Sequence, residues 1–237
     1  MRGLETMKKF IAIAGNMGVG KSALTALLSE KLGWEPFYEA VDDNPYLPDF
    51  YKDMKRWSFH SQMFFLSRKL RYYQEILSRP TSVIQDRSIY EDAEIFAENL
   101  YRQGHMAERD YRTYREVYEA ILPFLPPPDL VIYLQASVPT LQRRIALRGR
   151  DFERGIDPQY LEQLNELYEE WAANFTLCPL LIVPADDMDF VKHSAHLEQI
   201  ASWLVFKKCP GLFKMLPIRR RGRRKVPAQQ RELPGWE

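Results

Sequence analysis

Residues Gly15-Asn16-Met17-Gly18-Val19-Gly20-Lys21-Ser22 fit the pattern G-x-x-x-x-G-K-[ST]. Few patterns this short restrict a fold as strongly. The glycines let backbone N–H groups curl around a polyphosphate, and a helix that begins at the lysine adds the positive potential of its N-terminus. Lys21 would reach the β- and γ-phosphates, and Ser22 would ligate Mg²⁺. The pattern works only between a strand and a helix, and that context is present. KKFIAIAG (8–15) is a short apolar run stopping at glycine, as a buried parallel strand does. KSALTALLSEKL (21–32) places Leu24, Leu27, Leu28 and Leu32 at helical spacing, with Gly33 as its stop. Nucleoside triphosphate binding, with Mg²⁺ as the expected metal, follows.

The rest of the chain repeats the alternation. Extended runs are expected at Trp34–Glu39, 82–87, 129–136 and 180–185. Helical stretches are expected at 57–77, about 91–103, 107–122 and 191–205. Pro126-Pro127-Pro128 reads as a rigid turn before the fourth strand, because proline fixes its backbone angle. Strands alternating with helices predict an α/β fold, a five-stranded parallel sheet covered by helices on both faces.

That geometry places further groups. A helix over 21–32 runs about 18 Å away from the loop. A strand over 34–39 runs about 20 Å back. Glu39 therefore ends near the phosphate loop, and Asp86 ends its own strand at the same carboxyl edge, where ligands bind in open α/β sheets. One carboxylate can assist Mg²⁺ and the other can accept a proton. Around Glu39 the chain reads Phe37-Tyr38-Glu39-Ala40-Val41-Asp42-Asp43, with no Lys or Arg to receive an anionic acceptor. A carboxylate there suits a neutral hydroxyl that loses a proton during phosphoryl transfer. Arg144, Arg148 and Arg150 follow the fourth strand. Arg144 and Arg148 share a helix face, as a cover for donor phosphates or as a solvated helix end.

Composition divides the 237 residues in two. Residues 207–237 hold 10 Lys+Arg and 2 Asp+Glu, or +8, and residues 1–206 hold 23 and 30, or −7. An acidic domain over 1–206 thus precedes a basic tail over 207–237, expected to be flexible, with nucleic-acid contact as one use for its RRRGRRK run. No stretch approaches the roughly 18 apolar residues of a membrane span. Two cysteines, Cys178 and Cys209, make no disulfide framework, and Met1–Phe10 lacks a signal-peptide core, so a cytoplasmic setting is expected.

Taken together, GNMGVGKS, YEAVDDNPYL (38–47), WSFHSQMFFLSRK (57–69), DRSIYEDAEIFA (86–97) and RIALRGRDFERGI (144–156) resemble the deoxynucleoside kinase family. The likeness is to its bacterial deoxyadenosine/deoxyguanosine kinase branch and covers about residues 8–205. It implies a P-loop kinase fold with an arginine-rich lid and ATP-dependent 5′-phosphorylation of a deoxynucleoside, a purine being favoured, in nucleotide salvage. It also implies a homodimer. By the same resemblance Glu39 is the general base, Arg87 steadies the acceptor oxygen and the transferred group, and Asp86 assists Mg²⁺. Gln62 and Asp92 meet the acceptor base and Phe96 stacks on it. Tyr51 and Glu153 hold the 3′-hydroxyl, and the Tyr51 ring crowds a ribose 2′-hydroxyl. Arg144, Arg148 and Arg150 form the lid.

There are departures from the family pattern. Ala40 stands where many relatives have proline, Asn44 where animal relatives have tryptophan, and Lys69 where an arginine is frequent. Two alternatives remain from sequence: a nucleoside monophosphate kinase of the thymidylate kinase type, and a catalytically inactive kinase-like subunit. The first should carry arginine just before Glu39, where this chain has Tyr38.

Overall fold

A computed structural model describes residues 8–39, 41, 43–153, 155–206 and 213–214 of the chain. Its centre is β1 (Phe10–Gly15), all six residues of which are buried. Alternate side chains of this strand feed two separate cores. Phe10, Ala12 and Ala14 pack on one face of the sheet, and Ile11 and Ile13 on the other. A strand apolar on both faces must be covered on both faces, which is why the sheet is parallel and enclosed by helices.

The strands run in the order β2 (Glu35–Phe37), β3 (Val83–Asp86), β1, β4 (Leu130–Gln135), β5 (Leu180–Pro184), and these five are parallel. This is the expected sheet. A two-residue strand, β6 (Phe213–Lys214), adds antiparallel to the edge of β5 and comes from within the 207–237 segment. The rest of that segment, with Cys209 and the RRRGRRK run, lies outside the described residues, as do Ala40 and Asp42. β2 is shorter than the expected 34–39, so Glu39 sits two residues beyond its end.

One core face is lined by α1 (Lys21–Leu32), α7 (Val138–Arg148) and α9 (Ser194–Phe206), through Leu24, Leu28, Leu141, Ile145 and Ile200. The other is covered by α3 (Met54–Ser78), α6 (Glu108–Ile121) and α8 (Pro158–Asn174). The short α2 (Leu47–Phe50) leads into α3, which starts where the Asp53 carboxylate accepts the Arg56 N–H at 3.2 Å. Between β3 and α6, α4 (Ile89–Glu91) and α5 (Glu98–Arg102) are joined without a break by a wider π turn, Asp92–Ala97.

The sequence expectations name no helix over 158–174, yet α8 is 17 residues long and central to one core. Its signal is legible in retrospect. Leu161, Leu164, Leu167, Tyr168, Trp171 and Ala172 are buried at helical spacing, Pro158 occupies the first turn, and Asp157 caps it by accepting the Gln159 N–H at 2.9 Å. Among the described residues no helix is long and apolar enough to cross a membrane.

If α8 is part of the core rather than an appendage, its two faces should respond differently. Leu164→Ala should cost about 2–5 kcal/mol in denaturant unfolding. Glu162→Ala, on the exposed face, should stay within about 0.5 kcal/mol. Equal effects would contradict this packing.

Candidate active site

The phosphate loop sits at the carboxyl end of β1 and is shaped by close approach. Gly15 has φ +143, and a Cβ there would lie 2.7 Å from the Leu134 carbonyl oxygen. Gly18 has φ +77, and a Cβ there would lie 2.6 Å from the Ile145 side chain of α7. Both positions therefore require glycine on conformational and steric grounds. Asn16 fixes the loop from beneath. Its Oδ1 accepts the Met17 N–H at 2.7 Å, and its Nδ2 donates to the Leu161 carbonyl at 3.0 Å and Asn165 Oδ1 at 2.8 Å. The loop is thus anchored on α8.

Lys21 Nζ donates to the carbonyls of Gly15 at 2.9 Å and Asn16 at 3.1 Å. Burial, and then the nearby Arg87 cation, lower its pKa to about 8. Beside it Ser22 Oγ donates to Asp86 Oδ2 at 2.5 Å. The other oxygen, Asp86 Oδ1, is buried without a hydrogen-bond partner among the described residues. No cluster of three or more His, Cys, Asp or Glu able to hold a metal occurs among the described residues. One hydroxyl and one carboxylate beside a phosphate cradle fit Mg²⁺, which commonly takes its remaining ligands from phosphates and water.

β3 pairs Ile13 with Asp86, and the ladder continues one residue further: the Arg87 N–H donates to the Ile13 carbonyl at 2.9 Å. Arg87 then turns left-handed with φ +63, the single non-glycine residue so placed among those described. That conformation costs about 1–2 kcal/mol for an L residue. It swings the guanidinium back, so that Arg87 Nε lies 2.7 Å from Glu39 Oε1, and the guanidinium carbon stands 4.1 Å above the Phe96 ring centre. The Lys69 ammonium donates to two consecutive carbonyls of this turn, that of Asp86 at 3.2 Å and that of Arg87. Burial alone would raise the Glu39 pKa. The cations Arg87, Lys69 and Lys21 outweigh it, and the net shift is downward, so Glu39 is an ionised carboxylate at neutral pH.

Lys21, Ser22, Glu39, Asp86 and Arg87 open onto one cavity of about 680 Å³. Of the residues expected in the site, Met17 to Ser22, Glu39, Tyr51, Gln62, Asp86, Arg87, Asp92, Phe96, Arg144, Arg148, Arg150 and Glu153 all line it. Gly15 and Asn16 do not, because they support the loop from behind. The π turn sets Asp92 and Phe96 on the same wall, as such turns often do at functional sites. Gln62 Oε1 and Asp92 Oδ2 are buried without partners among the described residues. Burial pushes the Asp92 pKa up to about 7, against the pull of Lys69 and Arg87 and with the help of Glu39 and Glu91. The Tyr51 hydroxyl lies 3.7 Å from Met17 Sδ, so this side chain reaches the phosphate loop. Asn44 is held away as a structural residue, donating to Ser61 Oγ at 3.1 Å and accepting the Tyr46 N–H at 3.0 Å.

The arginines of the expected lid are engaged with protein acceptors. Arg144 donates to the carbonyls of Val19 at 2.7 Å and Ala185 at 2.8 Å, so it braces the phosphate loop against the end of β5. Arg148 pairs with the buried Glu153 at 2.5 Å, and Arg150 stands 3.7 Å from the same carboxylate. The loop after β5, from Asp186 to Lys192, closes this side of the cavity, and its Asp186 accepts the Ser137 N–H at 2.9 Å.

Several further residues contribute to the site. Glu91 is fully buried and accepts hydrogen bonds from Gly15 N at 3.1 Å, Ser88 N at 2.7 Å, Ser88 Oγ at 3.0 Å and the Tyr168 hydroxyl at 2.8 Å. Its signal is the S-x-x-E spacing of Ser88 and Glu91, a capping-box pattern. Tyr168, Asn165 and the cavity-lining Tyr160 come with α8 and share its omission.

A strand-bound phosphate loop facing a carboxylate–arginine pair, within a cavity large enough for a small ligand, belongs to phosphoryl-transfer enzymes. The sequence model of the deoxynucleoside kinase family matches residues 11–207. The chain belongs to this family. A deoxyadenosine/deoxycytidine kinase of Bacillus subtilis is 40% identical over 192 residues, covering 80% of this chain and 88% of that protein. A deoxyguanosine kinase of the same organism is 39% identical over 201 residues, covering 81% and 94%. A solved deoxyadenosine kinase from M. mycoides, with products dCMP and a flexible dCDP bound, is 36% identical with a TM-score of 0.75 and covers 83% of this chain and 98% of that chain. Another structure of that kinase has dATP bound, at 34% identity and a TM-score of 0.73, covering 83% and 99%. As a deoxynucleoside kinase the protein is a nucleotide-binding phosphotransferase, and the monophosphate kinase alternative falls.

Asp92 yields a pH prediction. Its folded pKa near 7 exceeds the ordinary 3.8, so between those values the folded protein holds a proton that the unfolded chain releases. Stability from this group therefore falls as pH rises through that window. Asp92→Asn cannot titrate. Its Tm should gain on the parent between pH 5 and pH 8, and parallel Tm curves would contradict the assignment.

Proposed function

We propose that this kinase transfers the γ-phosphoryl group of ATP to the 5′-hydroxyl of a purine deoxynucleoside, deoxyadenosine or deoxyguanosine, in nucleotide salvage. The observation that carries the proposal is the Glu39–Arg87 pair, 2.7 Å apart, inside the cavity that also contains Lys21 and Ser22 of the phosphate loop.

The chemistry is an in-line displacement. The 5′-oxygen bonds to the γ-phosphorus as the bond to the ADP leaving oxygen breaks, and the hydroxyl proton passes to the Glu39 carboxylate. The lowered pKa of Glu39 keeps it deprotonated and ready to accept. Arg87, fixed beside it and above Phe96, orients the carboxylate and offers positive charge to the acceptor oxygen and the moving group. Lys21, now on loop carbonyls, turns its ammonium to the β- and γ-phosphates. Ser22 and Asp86 would hold Mg²⁺, which neutralises phosphate charge. Arg144, Arg148 and Arg150 cover the donor side.

The acceptor base would meet Gln62 and Asp92, whose unpartnered buried oxygens need donors. An exocyclic amino group meets that need. With its pKa near 7, Asp92 can also donate as an acid to a carbonyl edge, which extends the pocket from adenine to guanine. Phe96 would stack on the base. Tyr51 and Glu153 would hold the 3′-hydroxyl, with the Tyr51 ring filling the space of a ribose 2′-hydroxyl. We extend the proposal to a cytoplasmic homodimer on the family resemblance. Nucleic-acid contact by 207–237 is a separate proposal resting on its charge of +8.

Incubation with labelled ATP and each of the four deoxynucleosides should give a 5′-monophosphate fastest with deoxyadenosine or deoxyguanosine. Transfer to dAMP or dTMP but to no nucleoside, or ATP binding without transfer, would contradict the proposal.

A further inference from the structure

Arg87 works from a backbone conformation that an L residue keeps only where its surroundings over-determine it. Two restraints act on this turn. One is the bond from the Arg87 N–H to the Ile13 carbonyl. The other is Lys69, which lies two helical turns beyond Gln62 on α3 and is 2% exposed. Its ammonium donates to the carbonyls of both Asp86 and Arg87, the peptide groups on either side of the left-handed residue.

Lys69 does not line the cavity, although Gln62 on the same helix does. Its donors are directed to the back of the Arg87 turn. Two convergent carbonyls also suit a compact ammonium with three donors better than a planar guanidinium fork. We propose that Lys69 is a positioning residue: it fixes the left-handed turn that aims Arg87 at Glu39, and it does not read the base. This rests on the proposed roles of Glu39 and Arg87.

Its charge acts in the same place. Glu39 faces the cations Arg87, Lys69 and Lys21 and the carboxyl of Asp92. Removing one cation of that set should move the titration of Glu39 upward.

The test is Lys69→Met in the full chain, which keeps length and apolar stem and removes the ammonium. kcat should fall about 10–100-fold, the scale of a small misplacement of catalytic groups. It should fall for every accepted deoxynucleoside, with KM for each little changed and the ranking of bases preserved. The acid limb of kcat/KM should move to higher pH, which a loss of folded protein would not produce. A changed base ranking, or a raised KM with kcat retained, would make Lys69 a base reader and overturn the inference. So would an unchanged kcat. Should the methionine variant not fold, Lys69→Arg keeps the charge and alters the geometry: kcat should still fall while the acid limb stays in place, and full activity would overturn the inference. The parent reading fails differently, by Glu39→Gln retaining kcat. Base re-ranking in Lys69→Met alongside an inactive Glu39→Gln defeats the Lys69 assignment alone.

Discussion

A single buried carboxylate joins the pieces of this site. Glu91 touches the first glycine of the phosphate loop, the Ser88 turn after β3, and Tyr168 of α8, so three separate parts of the chain meet on one group. A carboxylate taken out of water is tolerated only when its oxygens are satisfied, and here four donors do so. The consequence is geometric. The phosphate loop and the Asp86–Arg87 turn are already neighbours through the β1–β3 ladder, and Glu91 fixes the distance between what each carries.

Around that joint the charges alternate. Lys21, Lys69 and Arg87 are buried cations, and Glu39, Asp86, Glu91 and Asp92 are the carboxyl groups among them. Their environments separate their protonation. Three cations hold Glu39 ionised, whereas burial against too little positive charge leaves Asp92 near pKa 7. One carboxyl group is thereby suited to accept a proton, and the other to hydrogen-bond a neutral ligand in either state. The net charge of −7 over residues 1–206 is partly these working groups.

Much of this was legible because it follows from periodicity and chain direction. The loop at 15–22, with a strand before and a helix after, implied a parallel sheet with its ligand edge at the carboxyl ends. Glu39 and Asp86 fell at that edge by length alone. The residues that line the cavity were reached through the family resemblance, because helix spacing cannot say which of Gln62, Tyr51 or Phe96 faces inward. What escaped was support from behind. Lys69 stood out only as a departure from arginine, since nothing in a sequence shows an ammonium meeting two backbone carbonyls. Glu91 and α8 were missed although their capping and apolar signals were present. Helix spacing puts Arg144 and Arg148 on one face but cannot show that Arg144 braces the carbonyls of Val19 and Ala185.

The central claim is that Glu39, held ionised by Arg87, removes the acceptor proton as the phosphoryl group moves. Single-turnover phosphorylation of deoxyadenosine or deoxyguanosine by Glu39→Gln, with ATP saturating and chemistry rate-limiting, tests it most directly. The account predicts a fall of about 10²–10⁴-fold in the transfer rate, with nucleotide binding retained. A transfer rate equal to that of the parent would contradict it.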